Sequence, residues 1–110
     1  MKITERQKEL LDNVCKGFNF KNANDKVTKI NREDAKAAGT VIKKLREEIL
    51  NIYPYDYIIK LKTGESSAKA NLTILRQMLR LHGRRLVSQR TYNWDREKKR
   101  NISQYSYTLL

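Results

Sequence analysis

Arg90, Tyr92 and Trp94 alternate within the stretch Leu86 to Trp94, and directly after it Arg96, Lys98, Lys99 and Arg100 crowd into a polar segment, Asp95 to Asn101, whose only anions are Asp95 and Glu97. Guanidinium groups match the oxygen geometry of phosphate, and aromatic faces stack on bases or sugars, so this mixture suits a nucleic acid better than a membrane surface or a small anion. Upstream, Lys69, Thr73, Arg76, Arg80 and Arg84 recur at three- and four-residue spacing, with Arg85 adjoining, and no acid is interleaved to pair them. A merely solvated helix face mixes signs for i,i+4 support, whereas an acid-free ridge suits a phosphate-lined groove. A third basic group, Lys43, Lys44 and Arg46, lies beside Glu47 and Glu48 and offers phosphate contacts of its own.

No comparable set supports catalysis. His82 is the only histidine and Cys15 the only cysteine, so no metal cluster can be assembled from them. His82 stands at a helix end beside Arg84 and Arg85, the position of a surface or capping residue. Cys15 falls in an apolar helical stripe and reads as a buried structural thiol; a lone cysteine also excludes an internal disulfide and fits a reducing compartment. The pairs Glu33/Asp34 and Glu47/Glu48 occupy helix positions where capping or surface pairing accounts for them. Asn51-Ile52-Tyr53 and Tyr57-Ile58-Ile59 resemble the GIY-YIG nuclease signature only superficially, because the spacing is too short and the glycines are missing. No glycine-rich phosphate loop is present. The expectation is a protein that is not an enzyme and needs no cofactor.

Composition points to the same partner. The 110 residues carry 24 Lys and Arg against 12 Asp and Glu, a formal charge of +12, which is the footprint of a protein that lives on a polyanion and excludes mimicry of DNA. The excess is uneven: residues 1–64 carry +5 and residues 65–110 carry +7, and the second part uses 7 Arg to 3 Lys where the first uses 3 Arg to 11 Lys. Arginine is favoured where planar, bidentate contact matters, so the main contact surface is expected in the second part. The length suits one domain with a modest core. No run of 18 apolar residues and no signal-type start occurs, so a cytoplasmic location is expected and no membrane partner. Frequent Asn, Ile, Lys and Tyr are what AT-rich coding produces, and hint at a phage or bacterial source.

The elements that must position these residues are legible in outline. Thr4 with Gln7 forms a capping-box pattern for a helix from Glu5 to Gly17, whose Leu10, Leu11, Val14 and Phe18 share one face. Residues 19–30 read as a polar loop containing a short turn. Asn31, with Asp34 three residues on, caps a second helix. That helix has two readings: unbroken from Arg32 to about Ile52, with Gly39 tolerated, or two helices, Arg32 to Ala38 and Thr40 to Asn51, with Gly39 as the turn. Pro54 ends it, Tyr57 to Lys62 reads as a strand closed by Gly64, and Tyr53, Tyr55 and Tyr57 around Pro54 either pack inward or present a stacking surface. Ser66 or Ser67 caps a third helix to about Leu81, stopped by Gly83, with Leu72, Leu75, Met78, Leu79 and His82 as its buried stripe. Leu86 to Trp94 and Ile102 to Leu110 are strands of a hairpin in which Tyr105 and Tyr107 face the core.

Helix, strand, basic tip, strand over residues 67–110 resembles the recognition helix and wing of winged helix-turn-helix DNA-binding proteins, and Ile30 to Arg46 is similar to a helix-turn-helix of its own, with Lys62-Thr63-Gly64 as a second, short wing. The resemblance implies an α+β domain of three to four helices, a short antiparallel sheet and a C-terminal basic hairpin, spanning residues 1–110. In that family the helix enters the major groove and the wing touches neighbouring backbone or minor groove. One departure stands out: such domains place their first strand before the helical pair, whereas the Tyr57 strand precedes a single helix. The reader is then either Thr40 to Asn51 or Ala68 to Leu81. The function implied is double-stranded DNA binding as a small transcription or replication regulator, with homodimerisation left open. The alternatives are an RNA-binding protein stacking bases on Tyr92, Trp94 and the tyrosine cluster, and a protein-interaction module inhibiting a host enzyme.

Overall fold

The computed structural model describes residues 4–53, 63–64 and 66–110, and three of its described helices begin where short polar side chains satisfy first-turn amides. The Thr4 hydroxyl accepts from the Gln7 amide at 3.2 Å while the Gln7 side chain accepts from the Thr4 amide at 3.0 Å, opening α1 (Glu5–Gly17). Asn31 and Asp34 exchange the same pair of bonds at 2.9 Å each and open α2 (Arg32–Ala37). The chain continues as α3 (Gly39–Ile52), and Ser67 caps α4 (Ala68–Leu81) by accepting from the Ala70 amide at 3.1 Å.

Between α2 and α3 the helix is interrupted, as in the two-helix reading, but the break falls at Ala38, one residue before Gly39, which opens α3. Ala38 keeps right-handed helical dihedrals, φ −61° and ψ −18°, and its carbonyl accepts from the Ile42 amide at 3.0 Å. The turn of a helix-turn-helix is therefore not formed at Gly39. Glycine is needed there for another reason: a Cβ would stand 2.7 Å from Ser66 Oγ and 3.1 Å from Asn71 Nδ2. This close approach lets the buried Asn71 amide donate to the Ala35 carbonyl at 2.9 Å, tying α4 to α2.

The sheet is three-stranded and antiparallel in the order β1 (Ile30–Asn31), β3 (Arg100–Leu109), β2 (Leu86–Asp95). The two-residue β1, within the segment read from sequence as loop, pairs Ile30 with Tyr107 and Asn31 with Ser106. It precedes the α2–α3 pair. The Tyr57 to Lys62 strand, with Pro54, Tyr55 and most of the proposed short wing, lies outside the described residues. Described elements thus run α1, β1, α2, α3, α4, β2, β3: an α+β, winged-helix-like arrangement with a C-terminal hairpin.

One apolar core joins them. Leu10, Val14 and Cys15 from α1, its C-cap residue Phe18, Ile49 from α3, and Ile74, Leu75, Met78 and Leu79 from α4 are fully buried, and the sheet closes the core with Ile30, Leu86, Tyr107 and Leu109. Each large side chain so removed from water contributes about 1.5–3 kcal/mol. The α4 stripe is wider than the sequence periodicity suggests, because Ala70, Asn71 and Ile74 are buried too. Gly83, at φ +69°, turns the chain from α4 toward β2 in a conformation that costs other residues more.

The hairpin outgrows this core. The molecule's radius of gyration of 14.9 Å, with a longest extent of 50 Å, exceeds the about 13 Å expected of a compact chain of this length. The excess is the distal hairpin, where β2 beyond Leu86 is exposed or half-buried throughout. Asp95 pairs with Arg100, so the tip is residues 96–99, shorter than the Asp95 to Asn101 loop read from sequence. Asp95 Oδ1 caps it by accepting from the amides of Glu97 at 2.9 Å and Lys98 at 3.3 Å. Lys99 sits at φ +50°, where glycine or asparagine is commoner.

Candidate nucleic-acid interface

Register decides which face of the hairpin carries its chemistry. Residues directly paired across an antiparallel ladder share a face. Leu86, Ser88, Arg90, Tyr92 and Trp94 of β2 therefore lie with Leu109, Tyr107, Tyr105, Ser103 and Asn101 of β3. This face looks toward α4, since the Arg76 guanidinium stands 5.9 Å from the centroid of the Tyr107 ring. The opposite face holds Val87, Gln89, Thr91, Asn93, Gln104, Ser106 and Thr108, apolar or uncharged until Asp95 and Arg100 at the tip. Its polar groups bond one another: Asn93 Nδ2 donates to Gln104 Oε1 at 3.3 Å, and the Thr91 hydroxyl to the Gln104 carbonyl at 3.4 Å. A surface cleft lies beside this outer face, between Asn31, Arg32 and Glu33 and residues 103–106. Its single cation faces a single anion, which gives phosphate no preference there.

On the inner face a row of cations and rings runs outward from the helix. Arg76 covers Tyr107; then the Arg90 guanidinium stands 5.4 Å from the Tyr105 centroid and 4.8 Å from the Tyr92 centroid, and Trp94 follows. Contacts within about 6 Å of a ring are attractive and hold the guanidinium in place while its edge stays available. Tyr92 and Trp94 are 60% and 61% exposed, although Tyr107 on the same face is buried. Tyr105 and Tyr107 face inward as expected, and beyond that they join the helix ridge to the hairpin residues. The signal for this was their phase with Arg90 and Tyr92, which only a known register converts into contact.

Along α4, Lys69, Arg76 and Arg80 are exposed, on the face left over after the core has taken Leu72, Leu75, Met78 and Leu79. Among the described residues the ion pairs gather elsewhere, as Arg6 with Glu9 at 2.8 Å and with Glu48, and Lys8 with Glu5 at 3.4 Å. Lys43 and Lys44 line an open groove with Lys36, Thr40 and Ser66 at the amino end of α4, so the α3 cations adjoin the start of that helix. Lys36, the one lysine of α2, was not singled out from sequence, being one of eleven lysines in residues 1–64. Arg46 is exposed and borders a smaller cleft with Ile42, Gly64 and Asn71. Arg96, Lys98, Lys99 and Arg100 are all exposed at the hairpin tip.

Arg84 and Arg85 are placed differently from the rest of the ridge. Arg84 is half-buried, its Nε donating to the Leu110 carbonyl at 3.1 Å and its Nη1 to Asn24 Oδ1 at 3.4 Å, so it fastens the chain end and the 22–25 loop to the α4–β2 junction. Arg85 is exposed, and its carbonyl accepts from the Leu110 amide at 3.0 Å.

His82 and Cys15 are both drawn into structural contacts. His82 is the C-cap residue of α4 and is half-buried beside a surface cleft, its Nε2 2.8 Å from the hydroxyl of the buried Tyr53, which donates to the Gln7 carbonyl at 3.1 Å. Burial, reinforced by Arg84 and Lys8, holds the His82 imidazole below its ordinary value. Burial likewise pushes the Cys15 thiol up to about 12, leaving it protonated. Among the described residues, no three of His, Cys, Asp and Glu come together to hold a metal ion, and no helix is long and apolar enough to cross a membrane. Comparison with family models, curated proteins and solved structures finds no match.

Proposed function

We propose that the protein binds double-stranded DNA without catalysing a reaction, as a small cytoplasmic regulator of transcription or replication, using α4 and the C-terminal hairpin in the manner of a winged helix. The supporting observation is that the acid-free face of α4 and the inner face of the hairpin adjoin, with Arg76 on one and Arg90 on the other linked through Tyr107 and Tyr105. A helix is narrow enough to enter a major groove, and a projecting antiparallel ribbon beside it reaches the neighbouring backbone. Lys69, Arg76 and Arg80 then line the groove or its phosphate walls. Lys43 and Lys44 meet the backbone at the amino end of α4, and Arg96, Lys98, Lys99 and Arg100 meet it at the hairpin tip.

Binding of a labelled duplex across a salt series tests this reading. With about 6–8 phosphates contacted, and roughly 0.9 of log–log slope for each, affinity should fall steeply as salt rises, with a slope of about −5 to −7. A flat response, or no binding at about 50 mM salt, refutes it.

A further inference from the structure

We propose that Tyr92 and Trp94 form a slot for one unpaired base, and that the protein therefore engages DNA where a single strand leaves the duplex. The inference rests on the duplex-binding reading and adds its preferred substrate. Alternate residues of a strand are about 6.6–6.8 Å apart and project from the same face. That is close to twice the 3.4 Å spacing of stacked bases, so two rings standing side by side leave room for one flat base between them. One side of the Tyr92 ring is already taken by the Arg90 guanidinium at 4.8 Å. Among the described residues the aromatic pair formed is Tyr53 with His82; Tyr92 and Trp94 do not close on each other.

Three further features fit an extruded base better than an intact duplex. Directly across the ladder, Ser103 faces Tyr92 and Asn101 faces Trp94, placing a hydroxyl and an amide where the edge of a stacked base needs hydrogen-bond partners. Three exposed cations, Arg96, Lys98 and Lys99, follow Trp94 in the hairpin tip, within reach of the phosphates flanking that base. The slot also lies away from the helix. Ser88 pairs with Tyr107, the ring beneath Arg76, and Trp94 is six residues farther along β2, about 20 Å at the rise of a strand. That span equals about six base steps, so α4 can hold duplex while the slot meets a strand that has already separated.

The chain has a single tryptophan, so its intrinsic emission reports on the slot alone. Three ligands in matched salt suffice: a blunt DNA duplex, the same duplex with a single-stranded tail, and the RNA counterpart of the tailed form. Base stacking on an aromatic side chain predicts that the tailed DNA binds about tenfold tighter than the blunt duplex and quenches Trp94. Tyr92→Ala, shown to be folded by thermal melting, should bring the ratio of tailed to blunt affinity down to about one; Trp94→Leu, read by anisotropy of labelled DNA, should do the same. Equal affinity for tailed and blunt DNA with unchanged emission overturns the slot, as does a preference that survives both substitutions. Tighter binding of the RNA form overturns the assignment to DNA. Quenching by tailed DNA with no binding of the blunt duplex would leave the slot standing and refute duplex recognition by α4.

Discussion

Replacing Arg76 and Arg80 together by alanine should cost more DNA affinity than replacing Lys43 and Lys44. Both arginines are exposed on α4, and Arg76 lies against the base of the hairpin through Tyr107. If each contacts one phosphate, the log–log salt slope should fall by about 1.8, and at about 0.1 M salt the pair should account for about sixtyfold in affinity, about 2.5 kcal/mol. A contact to a base edge would add about 1–3 kcal/mol. Lys43 and Lys44 lie in the groove beside Ser66 rather than on α4 itself, so loss of them should reach the phosphate effect without the base-edge increment. Arg76→Ala also removes an exposed cation–ring contact worth about 0.5–1 kcal/mol of stability, a shift of a few degrees in Tm that melting curves will show. Arg76→Lys restores the charge but not the fork geometry, separating phosphate attraction from bidentate readout. The assay is fluorescence anisotropy of a labelled duplex at several salt concentrations, on variants shown to be folded. The reverse ranking refutes the assignment of α4 as the reader and moves that role to α3.

Two further outcomes probe the scaffold. Asn71→Ala should lower stability by about 2–3 kcal/mol in denaturant unfolding, because it removes the buried bond to the Ala35 carbonyl and leaves a void where α4 meets α2; a loss below about 0.5 kcal/mol would show that this tie is dispensable. His82 is held below its ordinary value in the fold, so the unfolded chain binds its proton more readily. The stability that a neutral His82 supplies is present above about pH 6.5 and is lost as pH falls from there toward the folded value. Thermal melts between about pH 7.5 and 5 should show this decline, and His82→Gln should reduce it; an unchanged pH profile in the variant would assign the decline to other groups.

Local chemistry was legible from the residues themselves. The two capping boxes, the Ser67 cap and the Gly83 stop appear where sequence spacing puts them, because each joins groups three or four residues apart and needs no distant partner. The inward face of α1 and the apolar part of α4 followed for the same reason, periodicity being a property of a single helix. The hairpin was readable to within one or two residues, its tip shortened by the Asp95–Arg100 pair.

What remained depended on partners far along the chain. The two-residue β1 has no pattern of its own and exists only because Ile30 and Asn31 meet Tyr107 and Ser106. Gly39 could be read as a turn or as a tolerated interruption, and only the arrival of Ser66 and Asn71 against it shows that the absence of a Cβ is what matters. Arg84 shares the spacing of Arg76 and Arg80, yet the chain end at Leu110 draws it into a structural tie. Charge, composition and helix caps were thus determined by the sequence alone, since they are sums or short-range relations. The face shared by Arg76, Arg90, Tyr92 and Trp94 was decided by the tertiary structure, because a shift of one residue in the β2–β3 register would turn every hairpin side chain to the other side.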